Sequence, residues 1–283
     1  MMRTEQEMYN LILGFAKEDA RVRAVLLNGS RANPNAPKDN YQDFDIVYVV
    51  DRFEEFKENW DWLDAFGRRL IMQTPEIMRD PSGAGHFNWM MLFDDGNRLD
   101  LTLIPIDRLD LIGTDSQTVV LLDKDKILPN FPSPSDRDYF PKKPDALYYT
   151  SCCNNFFWCM QNVAKGIARN ELPYAMVMYH TVVREELHDM LSWYIGCQTD
   201  FQVAPGKMGK YFQKYLPKAF YEAYEKTYSD SQPEHVWNAV YTACELFRTA
   251  AKAVGDCLGY VYNQADDDGI MEYLRMVKTG VLE

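Results

Sequence analysis

Residues 27–45 read LNGSRANPNAPKDNYQDFD, and the apolar run IVYVV follows directly at positions 46–50. The apolar residues before Gly29 predict a strand that ends in a turn, where a glycine lets the backbone come close to a ligand. Ser30 and Arg31 come next, and arginine presents a planar fork of donors that matches phosphate oxygens. We therefore predict that these three residues hold a nucleoside triphosphate.

Two aspartates, Asp43 and Asp45, open the second predicted strand. Because successive strand residues point to opposite faces, these carboxylates share one face and lie about 7 Å apart along the strand. Hard cations such as Mg²⁺ bind a few carboxylate oxygens together with substrate phosphates. An isolated D-x-D pair is most often a solvated loop end, but one that follows G-S-R and opens a strand favours a metal–nucleotide site.

A third carboxylate, Asp100, lies in a predicted β-hairpin. The segments HFNWMMLF at 86–93 and NRLDLTLIPI at 97–106 flank an Asp-Gly pair, which is a strong hairpin signal. The leucines of the returning strand face the core, so Asp100 faces the other way, and a solvated strand face is the simplest account. If this strand lies beside that of Asp45, Asp100 completes a cluster of three carboxylates.

Bulk properties exclude several classes of protein. No run among the 283 residues approaches the roughly 18 apolar residues that span a bilayer, and the N-terminal MMRTEQEMYN lacks the apolar region of a signal peptide. The six cysteines form no C-x-x-C pair, which indicates reduced thiols and a cytoplasmic location. The net charge of −12 disfavours a nucleic-acid partner and fits a small polycationic substrate. A monomer and a homodimer are equally compatible with these properties.

The pattern along the chain predicts an α+β protein. Amphipathic spacing indicates a helix over 4–19, strands over 23–29 and 44–50, and either one helix or two short ones over 53–71. The proline-rich stretch 129–144 predicts a boundary between a domain of residues 1–135, with a mixed sheet and helices, and a helical bundle of residues 136–283. The bundle's predicted helices are 146–170, 173–195, 207–228, 233–258 and 268–278, and the acidic run Asp266-Asp267-Asp268-Gly269 is predicted to be a solvated turn.

The G-S-R…D-x-D pattern between two strands resembles that of the nucleotidyltransferase superfamily that includes DNA polymerase beta. The longer motif NGSRANPN…DFDIVYVV is similar to that of the streptomycin (aminoglycoside 6-) adenylyltransferases. The similarity extends to AKGIARNELPYAM and GKMGKYFQKYL in the second half. The resemblance implies transfer of AMP from ATP to the 6-hydroxyl of streptomycin, with antibiotic resistance as the result. It also implies Asp100 as a member of the carboxylate cluster. We expect the active site to lie in the cleft between the two predicted domains.

In nucleotidyl transfer an oxygen nucleophile attacks the α-phosphorus of a nucleoside triphosphate, and pyrophosphate leaves. Two Mg²⁺ ions can activate the attacking oxygen and neutralise the leaving group. We assign Asp43 and Asp45 as bridging metal ligands. Asp100 is assigned as a ligand of the catalytic metal and as a candidate general base.

Further cations for the pyrophosphate come from the second half of the chain. Lys207 and Lys210, which are flanked by glycines in GKMGK, are the stronger pair, and Lys165 and Arg169 are the other candidates. Each of these is alternatively an ordinary surface cation. The segment is not a Walker loop, because it lacks G-x-x-x-x-G-K-[ST].

Three acidic residues of the predicted helix 173–195 are candidates for binding a cationic acceptor: Glu185, Glu186 and Asp189. Like charges at i, i+4 are mildly unfavourable on an isolated helix, so a cationic ligand would explain Glu185 and Asp189. Pairing with Arg184 or with a lysine of another helix is the alternative. If the resemblance holds, these carboxylates face the ammonium and guanidinium groups of an aminoglycoside while rings such as Trp193 cover its sugars. One of these acids is also an alternative to Asp100 as the general base, and the sequence leaves both choices open.

Other chemistries find little support in the sequence. The four histidines show no zinc spacing, and there is neither a G-x-S-x-G elbow nor a dinucleotide G-x-G-x-x-G motif. The remaining alternatives are a nucleotidyltransferase for another aminoglycoside or a lincosamide, and a member of the superfamily that AMPylates a protein.

Overall fold

The computed structural model describes residues 1–81 and 83–281. These residues divide into two compact units, Met1–Asp138 and Tyr139–Glu283. None of the helices in the described ranges combines the length and apolarity needed to traverse a lipid bilayer. The fold is α+β, with a mixed sheet in the first unit and a helical second unit.

In the described part of the first unit, six strands form one mixed sheet in the order β3-β4-β5-β2-β1-β6. Neighbouring strands run antiparallel except β2 and β5, which are parallel. The predicted hairpin is confirmed as β4 and β5. The strands are β1 (Val22–Asn28), β2 (Phe44–Val50), β3 (Arg69–Gln73), β4 (Phe87–Phe93), β5 (Arg98–Pro105) and β6 (Thr118–Asp123).

Helix α1 (Glu5–Glu18) covers one face of this sheet. It begins at a capping box, in which Thr4 accepts a hydrogen bond from the Glu7 amide and the Glu7 carboxylate accepts one from the Thr4 amide. Its buried residues recur at i, i+4 and i+8, as an amphipathic helix requires. Short helical segments complete the unit: α2 (Gly29–Ala32), α3 (Phe53–Glu58), and 3₁₀ turns at Asp61–Phe66, Pro75–Ile77, Ile106–Ile112 and Arg137–Tyr139.

The alternation of β2 and β5 decides where the acidic residues lie. Phe44, Ile46 and Tyr48 of β2 pack in the core beneath α1, together with the leucines of β5. Val47 and Val49 pack in a smaller cluster on the opposite face, against the 3₁₀ segment 106–112. Asp45 lies two positions before Val47, and Asp100 lies four positions before Ile104, which belongs to the same cluster. Because alternate strand residues point to the same face, both aspartates lie on this second face.

The second unit is a helical bundle with its own core. Phe156 and Phe247 stack at its centre, with ring centroids 3.8 Å apart. A π-helical turn, Met178–Val183, joins α5 to α6. The helices are α4 (Ala146–Ala168), α5 (Leu172–Val177), α6 (Arg184–Gln198), α7 (Phe212–Tyr215), α8 (Lys218–Glu225), α9 (Pro233–Leu258) and α10 (Gln264–Lys278).

Two of the predicted helices are wrong in part. Within 53–71 the alternative of two short helices is confirmed, as Phe53–Glu58 and Asp61–Phe66. The second ends at Gly67, whose φ is 109°, and residues 69–71 belong instead to β3, which pairs with β4. The segment 207–228 is broken into a 3₁₀ turn and two short helices. Gly206, Met208 and Gly209 have positive φ, which a helix cannot accommodate.

The acidic run at 266–269 is not a solvated turn, and that prediction is also wrong. It lies within the first turns of α10, after the N-cap Asn263. Asp267 is fully buried, and its carboxylate accepts hydrogen bonds from Arg248 of α9 and from the hydroxyl of Tyr262. The sequence pattern showed the charge of this carboxylate but not the partner that makes its burial tolerable.

Candidate active site

Asp45 and Asp100 are directly opposite each other on the parallel strands β2 and β5. Asp43 stands one residue before β2, near the same end of the pair. The structure therefore places the three carboxylates predicted from the sequence near the N-terminal ends of the two central strands. As their side chains stand, no three His, Cys, Asp or Glu side chains in residues 1–81 and 83–281 converge on a point that a metal could occupy.

Gly29 lies directly against the carboxylate of Asp45. Its φ is +72°, and a Cβ built on it would come within 2.2 Å of Asp45 Oδ2. Any other residue would be strained in its backbone and would push this carboxylate aside. The turn after β1 thus leaves the space that the Asp45 carboxylate occupies on the neighbouring strand.

The arginines near the three carboxylates, Arg98 and Arg31, do not fully neutralise their negative charge. Burial, followed by the charges of Asp100 and Asp43, raises the pKa of Asp45 to about 6. Burial also raises the pKa of Asp43, with Arg98 opposing and Asp100 reinforcing the shift. A hard divalent cation would relieve this repulsion, and carboxylate oxygens are the donors that Mg²⁺ prefers, so the residues present fit such an ion.

Arg31 is turned toward its own chain. Its Nε and Nη2 donate to the backbone carbonyls of Asp43 and Gln42 at 3.1 and 2.7 Å. The guanidinium lies 3.8 Å from the ring centre of Phe44, and the side chain is only 7% exposed. These contacts hold the segment that delivers Asp43 to the site. The contact of Arg31 with a triphosphate remains a prediction, as does that of Ser30, whose hydroxyl accepts from Gln42 Nε2 at 3.3 Å.

In the second unit, the three acidic candidates lie on α6. Glu185 is exposed, and Glu186 Oε1 accepts a hydrogen bond of 2.6 Å from Asn155. Partial burial, followed by the charges of Glu186 and Glu185, raises the pKa of Asp189. Within the described ranges, no cationic side chain forms an ion pair with any of the three.

Arg184 does not neutralise these acids, so the predicted alternative of pairing with it is wrong. It is buried, and its guanidinium donates to the hydroxyl and the carbonyl of Thr227 at 3.1 and 3.0 Å. The same group stacks on the ring of Tyr228, 3.9 Å from its centre. The hydrogen-bonding groups of Arg184 are therefore engaged by Thr227 rather than by the acids of α6.

Asp189 lines a groove of about 560 Å³ within the second unit. Tyr148 and Trp193 line the same groove, and their rings meet edge to face with centroids 6.5 Å apart. A carboxylate beside two aromatic rings suits a ligand that carries both cationic groups and sugar rings. The other lining residues are Pro141, Lys142, Lys143, Pro144, Asp145, Ser192 and Pro205.

The candidate lysines of the second unit are placed differently from one another. Lys207 and Lys210 are exposed on a tight turn, and the Nζ of Lys210 lies 5.1 Å from the ring centre of Tyr211. Lys165 donates to Gln161 on its own helix, and Arg169 is exposed at the end of α4. Lys207, Lys210 and Arg169 are therefore open to an anion from solvent, whereas Lys165 is engaged by Gln161.

A family model described as streptomycin adenylyltransferase matches residues 2–277. This chain belongs to the streptomycin adenylyltransferase family. It is similar to an aminoglycoside 6-adenylyltransferase of Bacillus subtilis (strain 168), with 42% identity over 276 residues that cover 96% of this chain and 97% of the relative. One from Campylobacter jejuni is 39% identical over 268 residues, covering 94% and 93%. The crystal structure of an aminoglycoside 6-adenyltransferase from Bacillus subtilis is 37% identical, covers 98% and 99%, and gives a TM-score of 0.49.

Sequence reasoning missed one charged residue at the carboxylate cluster of this streptomycin adenylyltransferase family member. The Nε and Nη2 of Arg98 donate to the two oxygens of Asp100 at 2.8 and 2.6 Å, and its Nη1 lies 3.3 Å from Asp43 Oδ2. The available signal was its position two residues before Asp100, because that spacing puts both side chains on one face of a strand.

Proposed function

We propose that this chain transfers AMP from ATP to a hydroxyl of the aminoglycoside streptomycin, the 6-hydroxyl, in a Mg²⁺-dependent reaction that confers resistance to the drug. The observation that carries the proposal is the register of β2 with β5, which sets Asp45 opposite Asp100 beside the turn at Gly29. Family membership supports adenylyl transfer, and the names of the relatives support an aminoglycoside acceptor.

Asp43, Asp45 and Asp100 are the proposed Mg²⁺ ligands. When bound, Mg²⁺ would neutralise the triphosphate and make the attacking hydroxyl more acidic. A carboxylate oxygen of Asp100 is the proposed acceptor of the proton that leaves this hydroxyl. Gly29 and Ser30 would bring backbone and hydroxyl donors to the phosphates.

The first unit is the proposed catalytic domain, and the second is the proposed substrate-binding domain. Asp189, Glu185 and Glu186 would attract the guanidinium and ammonium groups of the drug, because no ion pair neutralises them in the described chain. Tyr148 and Trp193 would cover its sugar rings. Lys207 and Lys210 are the proposed partners of the leaving pyrophosphate, since both are exposed on a turn built around two glycines.

A cytoplasmic location accords with this proposal. ATP is the co-substrate, and the six cysteines are free thiols, most of them buried. Burial raises the pKa of Cys152, Cys153 and Cys244, which keeps these thiols protonated and unreactive. Such thiols are usual for proteins of a reducing compartment.

The test is pyrophosphate release from ATP and Mg²⁺ with streptomycin, kanamycin, lincomycin or no acceptor, for the wild type and Asp45→Asn. We expect release with streptomycin only and a loss of at least about 100-fold in the variant, because charge stabilisation carries most of such catalysis. Release with another drug would keep the chemistry and overturn the streptomycin assignment. No release with any acceptor would overturn the proposed activity.

A further inference from the structure

Arg98 binds the carboxylate cluster through the atoms that a metal would need. It engages both oxygens of Asp100 in a bidentate pair, at 2.8 and 2.6 Å, and it reaches one oxygen of Asp43 at 3.3 Å. In this geometry two parallel charge-assisted hydrogen bonds join the edge of the guanidinium to both oxygens of the carboxylate. The guanidinium therefore stands between two of the three carboxylates.

A guanidinium and a divalent cation compete directly at this position. A metal ion held by Asp100 has to use an oxygen that Arg98 now engages, because Arg98 donates to both oxygens of Asp100, and the charge of the metal repels that of the arginine. The Arg98 side chain is 39% exposed, so it has room to leave without disturbing the core. Metal binding and the present position of Arg98 thus exclude each other.

The phosphate-binding turn also lacks a cation that is ready for use. Arg31, the basic residue of the G-S-R turn, is 7% exposed and donates to two backbone carbonyls. Arg98, by contrast, is held only by carboxylates that a metal would claim. Once displaced, its guanidinium remains tethered beside the cluster, where a triphosphate bound to the metal would be its nearest anion.

We propose that Arg98 is an exchangeable counter-cation: it neutralises Asp43 and Asp100 while the metal is absent, yields them to the metal, and then binds the triphosphate. This inference rests on the proposed function, because it assumes that the three carboxylates hold the metal. It makes Arg98 a positioning residue for the cluster in the metal-free chain and a substrate-binding residue in the loaded one.

The test compares Arg98→Gln and Arg98→Lys with the wild type in two binding measurements. The first is Mn²⁺ binding to the nucleotide-free protein, followed by the electron paramagnetic resonance of free Mn²⁺. We expect Arg98→Gln to bind Mn²⁺ about tenfold more tightly, since a charge-assisted bidentate contact at a partly exposed site is worth about that factor. The lysine variant keeps the charge without the bidentate geometry and should fall between the two.

The second measurement is binding of α,β-methylene-ATP in saturating Mn²⁺. Here we expect Arg98→Gln to bind about tenfold more weakly, because the triphosphate loses a cationic partner. The two effects have opposite signs, whereas a variant that misfolds would lose both affinities. Arg108→Gln is the matched control: Arg108 makes the same i, i+2 bidentate pair with the exposed Asp110, at 2.9 and 2.9 Å, and its loss should change neither affinity.

The outcomes separate this inference from the proposed function. If Arg98→Gln binds Mn²⁺ no more tightly than the wild type, or binds the nucleotide equally well, the exchange is overturned while the activity of the wild type stands. If Asp45→Asn leaves Mn²⁺ binding unchanged, the metal site itself is overturned, and with it both the inference and the proposed use of the three carboxylates.

Discussion

At the scale of single residues, Gly29 meets two structural requirements that only glycine can meet together. Its φ of +72° is a conformation that L side chains rarely adopt, and its missing Cβ leaves room for the carboxylate of Asp45. The sequence indicated the first requirement through the turn it predicted. The second depends on a strand that begins fifteen residues later, and only the sheet register reveals it.

Replacing Gly29 with alanine should therefore impair both stability and activity. We expect a loss of about 1–3 kcal/mol in the free energy of unfolding from the backbone strain, and a fall of about 100-fold or more in kcat/KM from the displaced carboxylate. Urea unfolding and pyrophosphate release would measure the two effects.

Gly14→Ala is the matched control for this substitution. Gly14 lies inside α1, and a Cβ there meets nothing within 4 Å. The change should stabilise the protein by about 0.5–1 kcal/mol and leave activity unaltered. An active Gly29→Ala variant with an unchanged midpoint would contradict the role assigned to this glycine.

At the scale of helices and strands, local sequence signals predicted secondary structure correctly where the interacting residues are close in sequence. The capping box at Thr4, the Asp-Gly hairpin and the apolar alternation of β2 all involve residues close in sequence. Two of the failures arose where a distant partner decides the outcome. Residues 69–71 were predicted to be helical but belong to a strand that pairs with β4, and Asp267 was predicted to lie in a turn but is paired with Arg248.

The pairing of α9 with α10 through Arg248 and Asp267 should be measurable as stability. Asp267 is fully buried, whereas the Arg248 side chain is 26% exposed. Removing the carboxylate in Asp267→Ala should therefore cost about 2–3 kcal/mol, below the range for a pair buried on both sides. Glu222→Gln, which breaks the exposed pair of Glu222 with Lys218, should cost less than about 0.5 kcal/mol.

The same pair should make stability depend on pH. Burial alone would raise the pKa of Asp267, but the hydrogen bonds from Arg248 and Tyr262 outweigh it and hold the pKa below its ordinary value. The unfolded chain then binds this proton more readily, so the stabilisation is complete above about pH 4 and is lost as the pH falls further. Urea unfolding between neutral pH and acid should show a shallower decline for Asp267→Ala than for the wild type, and parallel curves would refute the assignment.

At the scale of the whole molecule, the net charge of −12 acts on the two substrates in opposite directions. A polycationic drug is attracted to an acidic protein and a nucleoside triphosphate is repelled, and added salt screens both effects. Raising the ionic strength from about 0.05 M to about 0.5 M should raise KM for streptomycin several-fold. KM for ATP should not rise with it. Steady-state kinetics at fixed pH would decide, and an unchanged KM for the drug would show that charge does not guide its binding.

The parallel pairing of β2 with β5 also bears on how the protein folds. Asp45 and Asp100 are neighbours in the sheet but are separated by more than fifty residues of chain, including β3, β4 and several helical turns. Contacts between such distant residues form slowly, because a long loop must close, at a cost in chain entropy, before the contacts can stabilise it. The helices of the second unit, whose backbone hydrogen bonds are local, can form early. During refolding, the circular dichroism signal of the helices should therefore recover before enzymatic turnover does.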